Sequence, residues 1–113
     1  MTDVPALVEI VTTVATEEAA LEIARALVRE RLVACASFAP CRSVYRWRGA
    51  VQEEAEVQVA LKTTADRADE AERRLRELHA YETPAILRAA VRATPDYARW
   101  VVESVAPGRE SAP

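Results

Sequence analysis

Glycine, aromatic residues and long apolar runs are scarce in this sequence. Only 2 of the 113 residues are glycine and 5% are aromatic, although 50% belong to the hydrophobic set. So little glycine excludes a collagen-like repeat and a glycine-rich phosphate loop, and the many apolar residues exclude a disordered chain. No segment approaches the roughly 20 apolar residues that cross a bilayer, so we expect no membrane partner.

Large apolar side chains are also few, and this limits the core of a monomer. The hydrophobic set has 57 members, but 23 of them are alanine, so 34 larger side chains remain. The length fits one domain over 1–113, with an expected frayed tail over 106–113. An isolated domain of this size buries only about two-thirds of its unfolded surface, so the composition suggests that other subunits complete the core.

The chain has no surplus of positive charge and contains two cysteines. A formal net charge of -3 argues against nucleic-acid binding, which needs a cationic surface. Cys35 and Cys41 on one strand would lie about 20 Å apart, too far for a disulfide or a shared metal ion. No basic segment precedes Glu9, which interrupts the first apolar run, so we expect no signal peptide and a cytoplasmic protein with reduced thiols.

The hydrophobic pattern predicts four strands and three helices. Alternation and β-branched residues predict strands over 6–13, 32–47, 51–64 and 86–91. Helical spacing and capping residues predict a helix over 16–31, a second helix with Thr64 as N-cap, and a third beginning at 94–96. On the third helix, Tyr97 and Trp100 are expected to pack against the sheet. The order β-α-β-β-α-β-α indicates an α+β, ferredoxin-like domain: an antiparallel sheet with both crossover helices on one face.

The central hairpin is longer than a domain of this size requires. Sixteen extended residues span about 53 Å, whereas a compact chain of this length is about 35 Å across. The hairpin therefore either bends onto its own core at a bulge or break at Pro40, or projects onto a neighbouring subunit. Projection is favoured because Tyr45, Trp47 and Val51 are poorly suited to water and one sheet face lacks a cover.

Several motifs together resemble the divalent-cation-tolerance (CutA) family. A Tyr-x-Trp-x-Gly hairpin followed by Lys-Thr-Thr at a strand end is a specific combination. The similarity runs from about Val8 to Val105, and it rests on RLVAC at 31–35, SVYRWRG at 43–49, LKTT at 61–64, LHAYETP at 78–84, Thr12-Thr13, Asp96-Tyr97 and Trp100. The resemblance implies a ferredoxin-like homotrimer linked to divalent metal tolerance, copper in particular. It does not imply an enzyme, and we expect no catalysis.

The resemblance also directs attention to a metal site, which this sequence matches only in part. Metal proposals for the family centre on a cysteine at the end of the first strand and on a His-Pro-Tyr loop. Here Thr12 occupies the strand end and Ala80 replaces the proline. His79 and Glu82 remain as candidate ligands for Cu(II) or Zn(II), completed by another subunit. The favoured interpretation of His79 is instead a residue that caps the second helix in its charged form.

Aromatic and arginine residues form the other candidate site. Such residues are enriched at interfaces, so an oligomer interface or an intersubunit pocket is predicted for Tyr45, Arg46, Trp47, Arg48 and Tyr81. The arginine side chains are expected to share one strand face and to pair with a neighbour's glutamates. The alternative function is a small-molecule sensor of the PII type, or a trimeric scaffold. The short turn at 48–50 disfavours the sensor, because proteins of that type use a long mobile loop.

Overall fold

The computed structural model describes residues 4–107 and contains the predicted seven elements in the predicted order. They are β1 Leu7–Val14, α1 Glu17–Arg29, β2 Cys35–Trp47, β3 Ala50–Thr64, α2 Ala68–Leu78, β4 Ile86–Val91 and α3 Pro95–Ser104. The four strands form one sheet in the order β2-β3-β1-β4, and every neighbouring pair is antiparallel. The α+β, ferredoxin-like fold class is therefore confirmed. Most of the expected tail, residues 108–113, lies outside the described residues.

The main core lies between α1, α2 and one face of the sheet. Alternate residues of β1 and β3 point to this face, so Ile10 lies opposite Leu61 in the strand register. Both side chains are fully buried, as are Leu27 of α1 and Leu75 of α2. Small side chains such as Ala20 let the helices pack close to the sheet.

The opposite face of the sheet is covered at one end by α3. Leu7 points to this face and is buried in a second cluster that includes Ala98 and Val101 of α3. The expectation that Tyr97 and Trp100 pack against the sheet is only half met: the Tyr97 hydroxyl lies 3.2 Å from Cys35 Sγ of β2, whereas Trp100 is 46% exposed. The reason is helical phase: the small Ala98 and Val101 occupy the inward stripe of α3, which leaves Tyr97 at its edge and turns Trp100 outward.

The predicted N-cap residue is observed for α1 but not for α2. Thr16 is the N-cap of α1, and its side chain accepts a hydrogen bond from the amide of Ala19. The N-cap of α2 is Arg67 rather than Thr64, so the predicted cap is wrong. A turn separates strand and helix, in which the Arg67 amide donates to the Thr64 carbonyl at 3.1 Å. Thr64 thus remains the last residue of β3, where its hydroxyl has no hydrogen-bond partner among the described residues.

The hairpin of β2 and β3 extends beyond the rest of the sheet. β1 pairs with β3 only from Val57 onward, so residues 50–56 of β3 have β2 as their strand partner. The described chain measures 52 × 34 × 21 Å, and the hairpin tip carries the strongly exposed Val44 and Val51. The predicted bulge or break at Pro40 is wrong, because Pro40 pairs with Val57 in an uninterrupted register. β2 is an edge strand, and an edge tolerates a residue without an amide hydrogen.

The turn of the hairpin consists of two residues with positive φ. Arg48 and Gly49 have φ values of 51° and 83°, the type I′ geometry that matches the twist of a two-stranded ribbon. No heavy atom lies within 4 Å of the position that a Cβ on Gly49 would occupy. The cost of a side chain there is therefore backbone strain alone.

We expect Gly49→Ala to lower the free energy of unfolding by about 1 kcal/mol, because an L-residue is strained at positive φ. Urea denaturation of both proteins at one concentration measures the difference. Arg48→Asn is the matched control, since asparagine adopts positive φ more readily than arginine, and this variant should be at least as stable as the parent chain. An unchanged midpoint for Gly49→Ala would contradict the role assigned to the turn.

Candidate functional site

An open cleft of about 810 Å³ lies between the hairpin tip and the loop after α2. Its floor comes from β3 and its walls from the hairpin and the loop. Five of the seven predicted site residues line it, namely Tyr45, Arg46, Trp47, Tyr81 and Glu82. The other two lie apart: Arg48 is in the turn, and His79 lines a separate crevice of about 150 Å³.

Two tyrosine–carboxylate pairs dominate the chemistry of the cleft. The Tyr45 hydroxyl donates to Glu54 Oε1 at 2.7 Å, and the Tyr81 hydroxyl donates to Glu56 Oε2 at 2.6 Å. The hydrogen bond to Glu54 raises the pKa of Tyr45. Burial, followed by the hydrogen bond to Glu56, raises the pKa of Tyr81. Both phenols are therefore neutral donors at physiological pH.

Glu54 and Glu56 are not among the site residues predicted from the sequence. They are two apart on β3, so their side chains share one face of the strand. In the register, Glu54 lies opposite Ser43 and Glu56 opposite Cys41. The sequence feature that could have indicated them is the spacing of two acidic residues at 54 and 56, across the hairpin from Tyr45. The contact of Tyr81 with Glu56 had no local signal, because 25 residues separate the two.

The ring of His79 is hydrogen-bonded to the end of β1. Its Nδ1 accepts a hydrogen bond from the Tyr81 amide at 3.2 Å. Nε2 therefore carries the proton and donates to the Thr13 carbonyl at 2.9 Å, with the Thr12 hydroxyl 3.0 Å away. Burial lowers the pKa of His79. His79 is the C-cap residue of α2, as predicted. Its ring is neutral, however, and is hydrogen-bonded to the end of β1, so the prediction that it caps the helix in its charged form is wrong.

This arrangement predicts an acid-dependent loss of stability. Above pH about 6.5, His79 is neutral in the folded and the unfolded chain. Because its pKa is lower in the folded state, the unfolded chain takes up the proton first as the pH falls below that value. The free energy of unfolding then declines by at most about 1.4 kcal/mol per pH unit.

Urea denaturation at pH 7.5, 6.5 and 5.5 tests this expectation. His79→Gln is the matched control, because glutamine can donate to the Thr13 carbonyl but does not titrate. The variant should lose less stability than the parent chain between pH 6.5 and 5.5. Parallel pH profiles for the two proteins would show that the histidine does not contribute.

The residues near His79 do not form a metal centre within one chain. Both ring nitrogens are engaged in hydrogen bonds, and Thr12 supplies a neutral hydroxyl at the strand end. Glu82 is exposed, and its Oε1 lies 3.4 Å from Nη2 of Arg48. Within residues 4–107, no group of three or more His, Cys, Asp or Glu side chains is placed to hold a metal ion. His79 and Glu82 as ligands therefore stay a prediction.

The arginine residues at the tip occupy different positions. Arg46 is the penultimate residue of β2, whereas Arg48 lies in the turn, outside the strand alternation. The guanidinium of Arg48 lies 5.3 Å from the ring centroid of Trp47 and pairs with Glu82. The prediction that both arginines share a strand face is therefore wrong, because the backbone reverses at Arg48. The turn nevertheless connects the hairpin to the loop after α2.

Comparison with known proteins identifies the family. The family model for the CutA1 divalent ion tolerance protein matches residues 8–104, which span all the elements of the fold except the first residue of β1. The chain belongs to the CutA1 family. The family is described by tolerance to divalent ions and not by a reaction, and the predicted resemblance is confirmed.

Individual CutA proteins match over most of their length. The divalent-cation tolerance protein CutA of Pyrococcus horikoshii is 38% identical over 98 residues, covering 86% of this chain and 96% of the relative. The structure of CutA from Synechococcus elongatus superposes with a TM-score of 0.87 at 35% identity, covering 93% of this chain and 95% of that structure's chain. The structure of the periplasmic divalent cation tolerance protein CutA from Archaeoglobus fulgidus superposes with a TM-score of 0.86 at 27% identity. It covers 88% of this chain and 99% of that structure's chain.

The lengths of the helices decide whether any of them could cross a membrane. Among the described residues, no helix is long and apolar enough to cross a membrane. The longest helix, α1, has 13 residues.

Proposed function

We propose that this chain acts in divalent-cation tolerance as a homotrimer, without catalysing a reaction, and that the cleft is its functional site. The observation that carries the proposal is the projecting hairpin. Beyond the end of β1, the two-stranded part of the hairpin over residues 41–56, here called the ribbon, holds Val44, Trp47 and Val51 at 67%, 39% and 62% exposure. Apolar side chains in that position are typical of a surface that another subunit covers.

The uncovered part of the sheet supports the same proposal. Away from α3, the face opposite the main core carries Leu87, which is 63% exposed. β2 and β4 are the two edge strands, and an unpaired edge is a natural site for contact with another chain. A closed ring of three copies would cover both the ribbon and this face.

Light scattering on a size-exclusion column tests the trimer. A particle of three times the chain mass of 12.5 kDa is expected. The measurement is repeated with Cu(II) and with Zn(II), and the trimer mass is expected in each case. A monomer in the absence and presence of metal would contradict the proposal, because the hairpin would then have no partner.

A weakly held Cu(II) or Zn(II) between subunits is the finer part of the proposal. Imidazole and carboxylate donors suit both ions, so His79 and Glu82 are the residues to test. Glu82 is exposed and accessible, whereas His79 must give up its bond to the Thr13 carbonyl. Calorimetric titration of the trimer should show metal binding that weakens in His79→Ala. Binding that the substitution leaves unchanged would remove His79 from the ligand set.

A PII-like sensor remains the second candidate because of the size of the cleft. About 810 Å³ lies within the range of small-molecule sites, and the walls combine aromatic rings with a few polar groups. The two-residue turn at Arg48 and Gly49 disfavours it, since it leaves no long loop to contact a partner. A thermal-shift comparison separates the two: stabilisation by ATP but not by Cu(II) would favour the sensor.

A cytoplasmic location is also proposed. Cys35 and Cys41 are both free thiols, a state that reducing compartments maintain. Fractionation of cells that express the tagged chain tests the location, and recovery in a periplasmic or secreted fraction would contradict it.

A further inference from the structure

One carboxylate in the cleft is buried without a cation. Glu56 is 7% exposed and is the buried acidic residue of the described chain. Its partner is the neutral hydroxyl of Tyr81, which bonds Oε2, and no described side chain bonds Oε1. A buried carboxylate normally has a cationic partner, because removal from water disfavours the charge.

Three carboxylates elsewhere in the chain show the usual pairing with a cation. Glu30 lies 2.9 Å from Arg74, Asp69 lies 2.7 Å from Arg88, and Glu9 lies 3.1 Å from Lys62. These carboxylates are all more exposed than Glu56. The carboxylate with the greatest need for a positive partner thus lacks one, and it lines a cleft that is open to ligands.

The charges of the cleft favour a cation. Its lining includes the carboxylates Glu54, Glu56 and Glu82 and one guanidinium, that of Arg46. Glu54 resembles Glu56: a tyrosine hydroxyl bonds it, and no cation among residues 4–107 does. Glu82 is paired with Arg48. Glu54 and Glu56 nevertheless outnumber Arg46 in the lining, and this surplus of negative charge disfavours an anion.

The aromatic walls indicate that the cation is organic. Tyr45, Trp47 and Tyr81 line the cleft beside the two carboxylates. Aromatic faces attract ammonium groups and also cover a hydrocarbon body, whereas a bare metal ion needs several oxygen, nitrogen or sulfur ligands. Such a ligand set is absent from residues 4–107.

From these observations we infer that the cleft binds a primary ammonium compound, whose charged group bonds Glu56 and Glu54 and whose carbon chain lies against the tyrosine and tryptophan rings. The inference rests on the proposal that the cleft is the functional site. It does not require the trimer, since all the residues named come from one chain.

Fluorescence titration with n-butylammonium chloride tests the inference. The full chain carries Trp100→Phe, which leaves Trp47 as its one tryptophan. Saturable binding is expected at constant ionic strength, and sodium butyrate, of similar size and opposite charge, should not bind. Glu56→Gln should weaken binding at least tenfold, the loss expected for a charge-assisted hydrogen bond. Glu53→Gln, on the other face of β3, should change it less than twofold.

Any one of three results would overturn the inference: binding that does not saturate, equal binding of butyrate, or a Glu56→Gln variant that binds the amine as tightly as its parent. Tighter, Glu56-dependent binding of Cu(II) that displaces the amine would make the cleft a metal site instead. Circular dichroism verifies the fold of each variant, and Glu54→Gln replaces Glu56→Gln if the latter does not fold.

Light scattering of the same samples separates this inference from the proposed function. A trimer that does not bind the amine overturns the ligand class alone. A monomer that binds it overturns the trimer and retains the ligand.

Discussion

Replacement of Leu61 by alanine is expected to lower the free energy of unfolding by about 3 kcal/mol. Leu61 lies near the end of the interior strand β3, between Ile10 of β1 and Ala36 of β2, and it is fully buried beneath the helices. The substitution removes three buried carbon atoms and leaves a cavity that a rigid sheet cannot close, and both effects destabilise the fold. Denaturation in guanidinium chloride at a fixed protein concentration measures the change.

Leu21→Ala is the matched control for this experiment. Leu21 lies on α1 and is 36% exposed, so its truncation removes less buried surface and adds a residue with good helix propensity. Its effect should stay within about 0.5 kcal/mol. If Leu61→Ala were as mild as Leu21→Ala, the core between the sheet and the two helices would not be the main source of stability.

Substitution of Trp47 by aspartate is expected to reduce the particle in solution from three chains to one. Trp47 is the last residue of β2 and lies at the tip of the projecting ribbon. In the proposed trimer its ring is buried against a neighbour, where an unpaired carboxylate carries a large desolvation cost. Light scattering on a size-exclusion column reports the mass directly.

Trp47→Phe distinguishes loss of the interface from a local defect of the hairpin. Phenylalanine retains an apolar ring, so this variant should keep the mass of the parent. Because the tip lies far from the main core, both variants should show the same far-ultraviolet circular dichroism. A Trp47→Asp protein of unchanged mass would place the tip outside the interface.

The fold was predictable from the sequence because its signals are local. The acids and the threonine at the start of α1, together with its apolar spacing, fix a helix whose observed bounds are Glu17–Arg29. Alternation in β3 gives the buried face directly, with Val59 and Leu61 inward. The hairpin turn follows from Gly49, since a two-residue turn needs positive φ.

The errors arose where tertiary contacts decide between equivalent local patterns. Thr64 has the side chain of an N-cap, but strand pairing with Leu7 keeps it in β3. Trp100 was expected at the sheet, yet the smaller Ala98 and Val101 of the same helix occupy that contact. In each case, the sequence supplies the residue type but not the rotation or the register.

The candidate site was predictable only on its aromatic side. Tyr45, Trp47 and Tyr81 were expected there as interface residues, and the structure brings all three to one cleft. Their acidic partners depend on contacts across the hairpin and between β3 and the loop after α2. Sequence spacing carries no information about the second of these.

The ribbon beyond β1 makes binding and assembly interdependent. Its residues form both a wall of the cleft and the surface proposed to contact a neighbour. A ligand that favours one orientation of the ribbon therefore changes the association constant of the subunits. Thermodynamic linkage requires that association change the affinity for the ligand by the same factor. Because no third strand among the described residues pairs with the ribbon, ligand contacts can shift this balance. The expected sign is a ligand affinity that depends on the protein concentration.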